Sequence, residues 1–180
     1  MKISQQEIIF FIPFRSGSEG YKNKNLTKLN GKPLYTYTIE LASKFKNTKI
    51  FVSTDYKRTE LELPDNVNFI KRSKLLSSNE ALMRDVLIDF IDNNVIKNSI
   101  IILLQVTSPL RLEIDVHNAI DTFISNSFDL VMSVSEADNS CLKYGFISPK
   151  NFYLPVHDIN SCFDNRQNLP KLYKPNGIIY

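Results

Sequence analysis

Apolar positions along the chain alternate between two spacings. Residues 8–12, IIFFI, form a continuous apolar run, the mark of a strand covered on both faces. Leu34, Tyr37, Thr38, Leu41, Ala42 and Phe45 then recur at helical spacing, and Lys49–Ser53 returns to strand character. Met83, Val86, Leu87, Phe90 and Ile91 make a second helical stripe, ahead of a strand at Ile100–Leu104. Val116, Ala119, Ile120, Phe123 and Ile124 make a third, ahead of a strand at Leu130–Val134. This β-α-β-α order predicts an α/β fold. Right-handed crossovers wind such a chain into a mainly parallel, Rossmann-like sheet with helices on both faces.

Past residue 135 the rhythm stops. Residues 136–175 are rich in Asn, Pro, Tyr and Phe and hold no stripe longer than a few positions. They are expected to form short strands and loops. The chain 1–180 therefore reads as one domain, with 136–170 as an extension suited to packing on a second subunit.

At 180 residues and 43% hydrophobic, the chain has material for a core that needs no staples. Cys141 and Cys162 have no metal-type spacing, and with no signal peptide they predict a reducing, cytoplasmic setting. The longest apolar run, IIILL at 100–104, is far below a membrane span, so no membrane partner is expected. The net charge of +3 comes from 22 basic residues interleaved with 19 acids, which argues against nucleic acid as a partner. One local cluster stands out, with Arg15, Lys22, Lys24, Lys28 and Lys32. A small polyanion suits it better than a duplex.

That cluster begins in FFIPFRSGSEGYKNKNL, residues 10–26, a strand running into a basic glycine loop. In open parallel sheets ligands bind beyond the carboxyl ends of the strands. Gly17 and Gly20 do not supply GxGxxG, and Gly20-Tyr21-Lys22 breaks GxxxxGK[ST]. What remains is a loop whose backbone N–H groups converge on an anion, with Arg15 and Lys24 adding charge-assisted bonds to phosphate oxygens. Asn25 carries an amide able to read a base edge. A glycine turn with solvated charges is the simpler alternative. A second polar cluster, LQVTSPLR at 104–111, follows another predicted strand and holds Gln105, Thr107, Ser108 and Arg111. A third, DNRQNLPKLYKPNGIIY at 164–180, holds Arg166 and Asn176.

Five stretches in order, IPFRSGSEGYKNKNL, VSTD at 52–55, LQVTSPLR, RQNLP at 166–170 and PNGIIY at 175–180, resemble the acylneuraminate cytidylyltransferases. The resemblance implies a nucleotide-diphospho-sugar transferase type of fold. It also implies transfer of CMP from CTP to a sialic acid or related nonulosonic acid, with Mg²⁺ as cofactor and pyrophosphate released. A homodimer is implied as well. Carried over position by position, Arg15 and Lys24 are the catalytic cations. Arg15, Ser16, Gly17, Ser18, Asn25, Arg72 and Ser78 bind the nucleotide, and Gln105, Lys143, Arg166, Asn176 and Tyr180 bind the sugar acid. Lys143 and Arg166 are expected to serve the neighbouring subunit's site.

Each assignment has a simpler counterpart. Arg72 reads equally as a surface charge at a strand end, and Ser78 as the N-cap of a helix just ahead of Glu80. Lys143 reads as a solvated lysine, Asp55, conceivable in a metal or ribose role, as the cap of the turn after its strand, and His117 and His157 as surface residues. Departures also count. Family members usually carry Lys where this chain has Glu19, and an acid beside a triphosphate costs on the order of a few kcal/mol. The family's paired aspartates for Mg²⁺ lie past the segment that here ends at Tyr180, so the usual carboxylate ligands are expected to be absent. The competing expectation is a truncated, weak or inactive nucleotide-binding member of the family.

Overall fold

The computed structural model describes residues 6–17, 20–21, 23–94, 96–126 and 128–180. Ser18, Glu19 and Lys22, singled out above, lie outside the described residues. The chain divides into two compact units. One runs to Ser133 and takes in Gly177–Tyr180, and the other is Val134–Asn176.

The first unit begins with β1 (Glu7–Pro13). A two-residue hairpin follows, β2 (Lys28–Leu29) with β3 (Lys32–Pro33). Its turn is Asn30-Gly31, at φ 48° and 82°, the left-handed pair that a tight hairpin requires. Then come α1 (Leu34–Ala42), β4 (Thr48–Thr54), β5 (Val67–Lys71), α2 (Met83–Asn93), β6 (Ser99–Leu103) and α3 (Glu113–Ser125). The four longer strands form one sheet in the order β5-β4-β1-β6, every neighbouring pair parallel.

The apolar run of β1 is buried because it has helices on both sides. Phe10 and Ile12 face a core shared with Tyr35 and Ile39 of α1 and Val116 and Ile120 of α3. Ile9 and Phe11 face the opposite way, onto Val86 and Phe90 of α2. The Phe11 and Phe90 rings stack with centroids 4.4 Å apart. Full burial of each such side chain is worth roughly 1.5–3 kcal/mol. The α/β architecture with a parallel sheet is as expected.

Two elements differ from the sequence reading. β5 was not anticipated, although Val67 and Phe69 alternate with polar residues behind a Pro-Asp-Asn turn. No strand forms at Leu130–Val134 as such. The edge of β6 is occupied instead by Gly177–Tyr180, because Leu103 and Tyr180 exchange backbone hydrogen bonds (2.8 and 3.3 Å). Ser133 is held to Ile179 (3.0 Å), and the strand starts only at Val134.

The second unit pairs β7 (Val134–Ala137) with β10 (Leu172–Pro175), and β8 (Gly145–Ile147) with β9 (Tyr153–Pro155), both antiparallel. Asp138 and Asp158 accept from the N–H groups of Ser140 and Asn160, capping short 3-10 turns. Gly145 is required by close approach, since a Cβ there would stand 2.5 Å from the Tyr153 ring. Large apolar side chains in this unit stay exposed, Phe146 at 70% and Phe163 at 86%. Among the described residues no helix is long and apolar enough to cross a membrane.

Candidate functional site

Parallel strands deliver their following loops to one edge of the sheet. β1 is flanked by β4 on one side and β6 on the other, so strand order reverses there, the position where such sheets bind ligands. A cleft of about 250 Å³ opens at this edge between the loops that follow β1, β5 and β6. Arg15, Lys24, Asn25, Arg72, Ser78 and Gln105 all line it. Among the described lining residues there are three cations and no carboxylate.

The loop after β1 is shaped by partners drawn from its neighbours. The Arg15 guanidinium donates to the Ser77 carbonyl (3.3 Å) and to Asn79 Oδ1. Asn25 sits in a 3-10 turn (Lys24–Leu26), is buried, and donates its amide to the Arg15 carbonyl (2.8 Å). Ser16 donates its backbone N–H and hydroxyl to the two oxygens of Asp55 (2.7 and 2.5 Å). The expectation that Asp55 caps its own turn is corrected by this bond. Pro13 pairs with Ser53 across the parallel ladder, so the first loop positions after β1 and β4 stand side by side. Gly17 is exposed.

Arg72 is not a surface charge. It is 6% exposed, with Nε donating to Ser53 Oγ (3.2 Å) and Nη2 to the Ser53 carbonyl (2.7 Å). Burial pushes its pKa down to about 10, and the positive charge of Arg15 acts in the same direction against the pull of Asp55 and Asp89. Ser78 is not a helix N-cap either. α2 begins at Met83 behind Leu82, and Ser78 instead closes a 3-10 turn, donating to the Leu75 carbonyl (3.3 Å).

Gln105, two residues past the end of β6, lies against Gly177. A Cβ at Gly177 would stand 3.3 Å from Gln105 Oε1, and Gly177 has φ 76°. Tyr180 packs with the Ile9 and Phe11 side of the core. It lines a separate, largely apolar hollow between β6 and α3 rather than the cleft.

The remaining three expected residues belong to the second unit. Lys143 is partly buried and donates to the Asp164 carbonyl, so it is not simply solvated. Arg166 pairs with Asp138 (3.1 Å), both side chains exposed, and lines a polar hollow of about 410 Å³ with Gln167 and Lys171. Asn176 is half-buried at the end of that unit. His117 is exposed as expected, 3.8 Å from Glu113.

Among the described residues no three His, Cys, Asp or Glu side chains gather as a metal site. Asp55, the carboxylate bonded to the loop, has both oxygens turned to Ser16. Among the described residues, the side chains do not by themselves form a Mg²⁺ centre.

A family model described as cytidylyltransferase matches residues 9–176. The chain belongs to that family. Among its relatives, an N-acylneuraminate cytidylyltransferase of Streptococcus agalactiae serotype V is 35% identical over 96% of this chain. This chain spans 42% of that relative's length. A post-translational flagellin modification protein B of Campylobacter coli is 30% identical over 97% of this chain and 76% of its own. A solved CMP:2-keto-3-deoxy-manno-octonic acid synthetase in complex with CTP superposes with a TM-score of 0.64 at 18% identity, covering 97% of this chain and 73% of that one. A 4-diphosphocytidyl-2C-methyl-D-erythritol synthase superposes at 0.60 and 8% identity, over 97% and 74%. These two share the family's fold.

Ser53 was not singled out as a site residue from sequence, and Asp55 and Arg111 were noted without the partners the fold gives them. The signal for the first two lay in the parallel register, and Arg111 stood in view within LQVTSPLR without a partner to give it meaning.

Proposed function

We propose that this protein transfers CMP from CTP to a sialic acid or related nonulosonic acid and releases pyrophosphate. The observation that carries the reading is the cleft whose described lining holds Arg15, Lys24 and Arg72 and no acid. Clustered cations repel one another, and a bound polyanion relieves that repulsion. The loop from Arg15 through Ser16, Gly17 and Ser18 is assigned to the triphosphate, with Lys24 reaching its oxygens. Asn25, Arg72 and Ser78 are assigned to the rest of the nucleotide. Gln105, which lines the cleft, is assigned to the sugar acid.

In the reaction, the anomeric oxygen forms a bond to the α-phosphorus as the bond to the pyrophosphate oxygen breaks. Such a step needs positioning and charge neutralisation more than covalent help. Mg²⁺ is proposed on family grounds alone; when bound it would add charge neutralisation at the phosphates. The cytoplasm is the proposed setting, in keeping with the free thiols of Cys141 and Cys162.

Purified protein given CTP, Mg²⁺ and N-acetylneuraminic acid or a related nonulosonic acid is expected to release pyrophosphate in step with CMP-sugar. CTP-induced stabilisation without turnover on any nonulosonic acid would reduce the reading to a nucleotide-binding member of the family.

We further propose a homodimer built through the second unit, in which Lys143 and Arg166 serve the neighbouring subunit's site. Support comes from the β8–β9 hairpin region, where Phe146, Ile147, Phe152 and Leu154 are all at least half exposed. An apolar surface of this kind in a soluble chain marks an interaction face. Phe146→Ser is expected to shift the protein toward monomer in light scattering. A wild type that is monomeric at tens of micromolar by that measurement would rule the dimer out.

A further inference from the structure

We infer that Arg111 is a positioning residue for the acceptor end of the cleft, a conclusion that rests on the assignment of Gln105 to the sugar acid. Arg111 stands two residues before α3 and is 7% exposed. Its Nε donates to the Ile178 carbonyl (2.7 Å) and its Nη2 to the Gln105 carbonyl (2.9 Å). One guanidinium therefore ties the loop after β6 to the segment Gly177–Tyr180.

The same two segments meet a second time, where the Gln105 side chain lies over Gly177. Gln105 is thus held at its backbone by Arg111, with its amide oxygen lying close to Gly177. Burial with no compensating acid lowers the Arg111 pKa to about 10, and its third nitrogen, Nη1, is buried without an acceptor. A charge kept in so poor a setting for stability alone is a weak device, because an apolar side chain of similar volume holds a core as well. What an apolar side chain lacks is the planar fork that bonds two carbonyls from different segments at once.

The test is Arg111→Lys, which keeps the charge and removes the fork. Expected is a rise of about tenfold in KM for N-acetylneuraminic acid, the effect of one lost hydrogen bond, with KM for CTP unchanged. Gly177→Ala, which presses a methyl toward Gln105 Oε1 from the other side, is expected to give the same selective rise. If both KM values rise together with a fall in melting temperature, Arg111 is a prop of the fold and the inference is overturned.

Should the wild type transfer no CMP to any nonulosonic acid, the functional reading fails separately. Amide hydrogen exchange then decides the fate of the clamp. The N–H groups of Ile179 and Tyr180 are expected to exchange about tenfold faster in Arg111→Lys, with those of β1 and β4 unmoved. Equal rates at Ile179 and Tyr180 would refute the positioning role.

Discussion

Arg72→Ala is expected to weaken CTP binding by about 10- to 100-fold and to lower the melting temperature by roughly 4–8 °C. Both effects come from one side chain. Arg72 bonds the carbonyl and hydroxyl of Ser53 at the end of β4 while its body lines the cleft. Truncation removes two hydrogen bonds at Ser53, whose carbonyl keeps only the Phe14 N–H (3.1 Å), at a cost of about 1–3 kcal/mol. Removing the desolvated guanidinium returns part of that, which keeps the expected net loss near 2 kcal/mol. Arg72→Lys separates the two roles, since a single ammonium keeps the positive charge but cannot bridge Ser53 and face a ligand. Calorimetric titration with CTP, read beside thermal melts, checks the prediction. Stability lost with CTP affinity intact would make Arg72 a structural residue and remove it from the nucleotide site.

The double duty of Arg72 explains why part of the site was readable from sequence and part was not. Residues 8–12 and the stripes around Leu41, Phe90 and Ile120 report their burial through spacing alone, so the sheet and its flanking helices followed directly. The loops after β1 and β6 were likewise recognisable, because polar and glycine residues cut off an apolar run. Partnership across the sheet leaves no such mark. Ser16 meets Asp55 across 39 positions of chain, and Arg111 meets the Ile178 carbonyl across 67. Both contacts depend on strand order and register, which no local pattern encodes.

The strand expected at Leu130–Val134 failed for a related reason. Its residues have the right character, with Leu130 and Met132 apolar, but both remain exposed. Another segment pairs with β6 first. Gly177–Tyr180, which follows the second unit in sequence, exchanges hydrogen bonds with Leu103, and a sheet edge holds only one neighbour. Likewise Ser78 has the composition of an N-cap and misses the role by several residues, because the 3-10 turn ending there delays α2 until Met83. The first miss is a non-local contact overriding a sound local preference, and the second is a neighbouring turn doing the same.

Lys24→Met presents the opposite case to Arg72. Lys24 lies half-buried in the 3-10 turn beside β1 and lines the cleft with Arg15 and Arg72. The fold is anchored there by neighbours rather than by the ammonium: the Asn25 amide holds the Arg15 carbonyl, and the backbone N–H groups of Leu26 and Thr27 bond the Asn23 carbonyl. Methionine keeps most of the length and apolar stem of the side chain, so stability is expected to move by no more than about 0.5 kcal/mol. The chemistry is a different matter. Charge builds on the phosphate oxygens as pyrophosphate departs, and a positioned cation is worth more in that state than in the ground state. Loss of one such group is expected to lower kcat by about 10²- to 10³-fold with little change in KM for the sugar acid. Steady-state assays on folded Lys24→Met protein, with melting curves as the control, measure this split. A variant that keeps its kcat while KM for CTP alone rises would place Lys24 in ground-state binding and leave Arg15 as the cation that acts on the transition state.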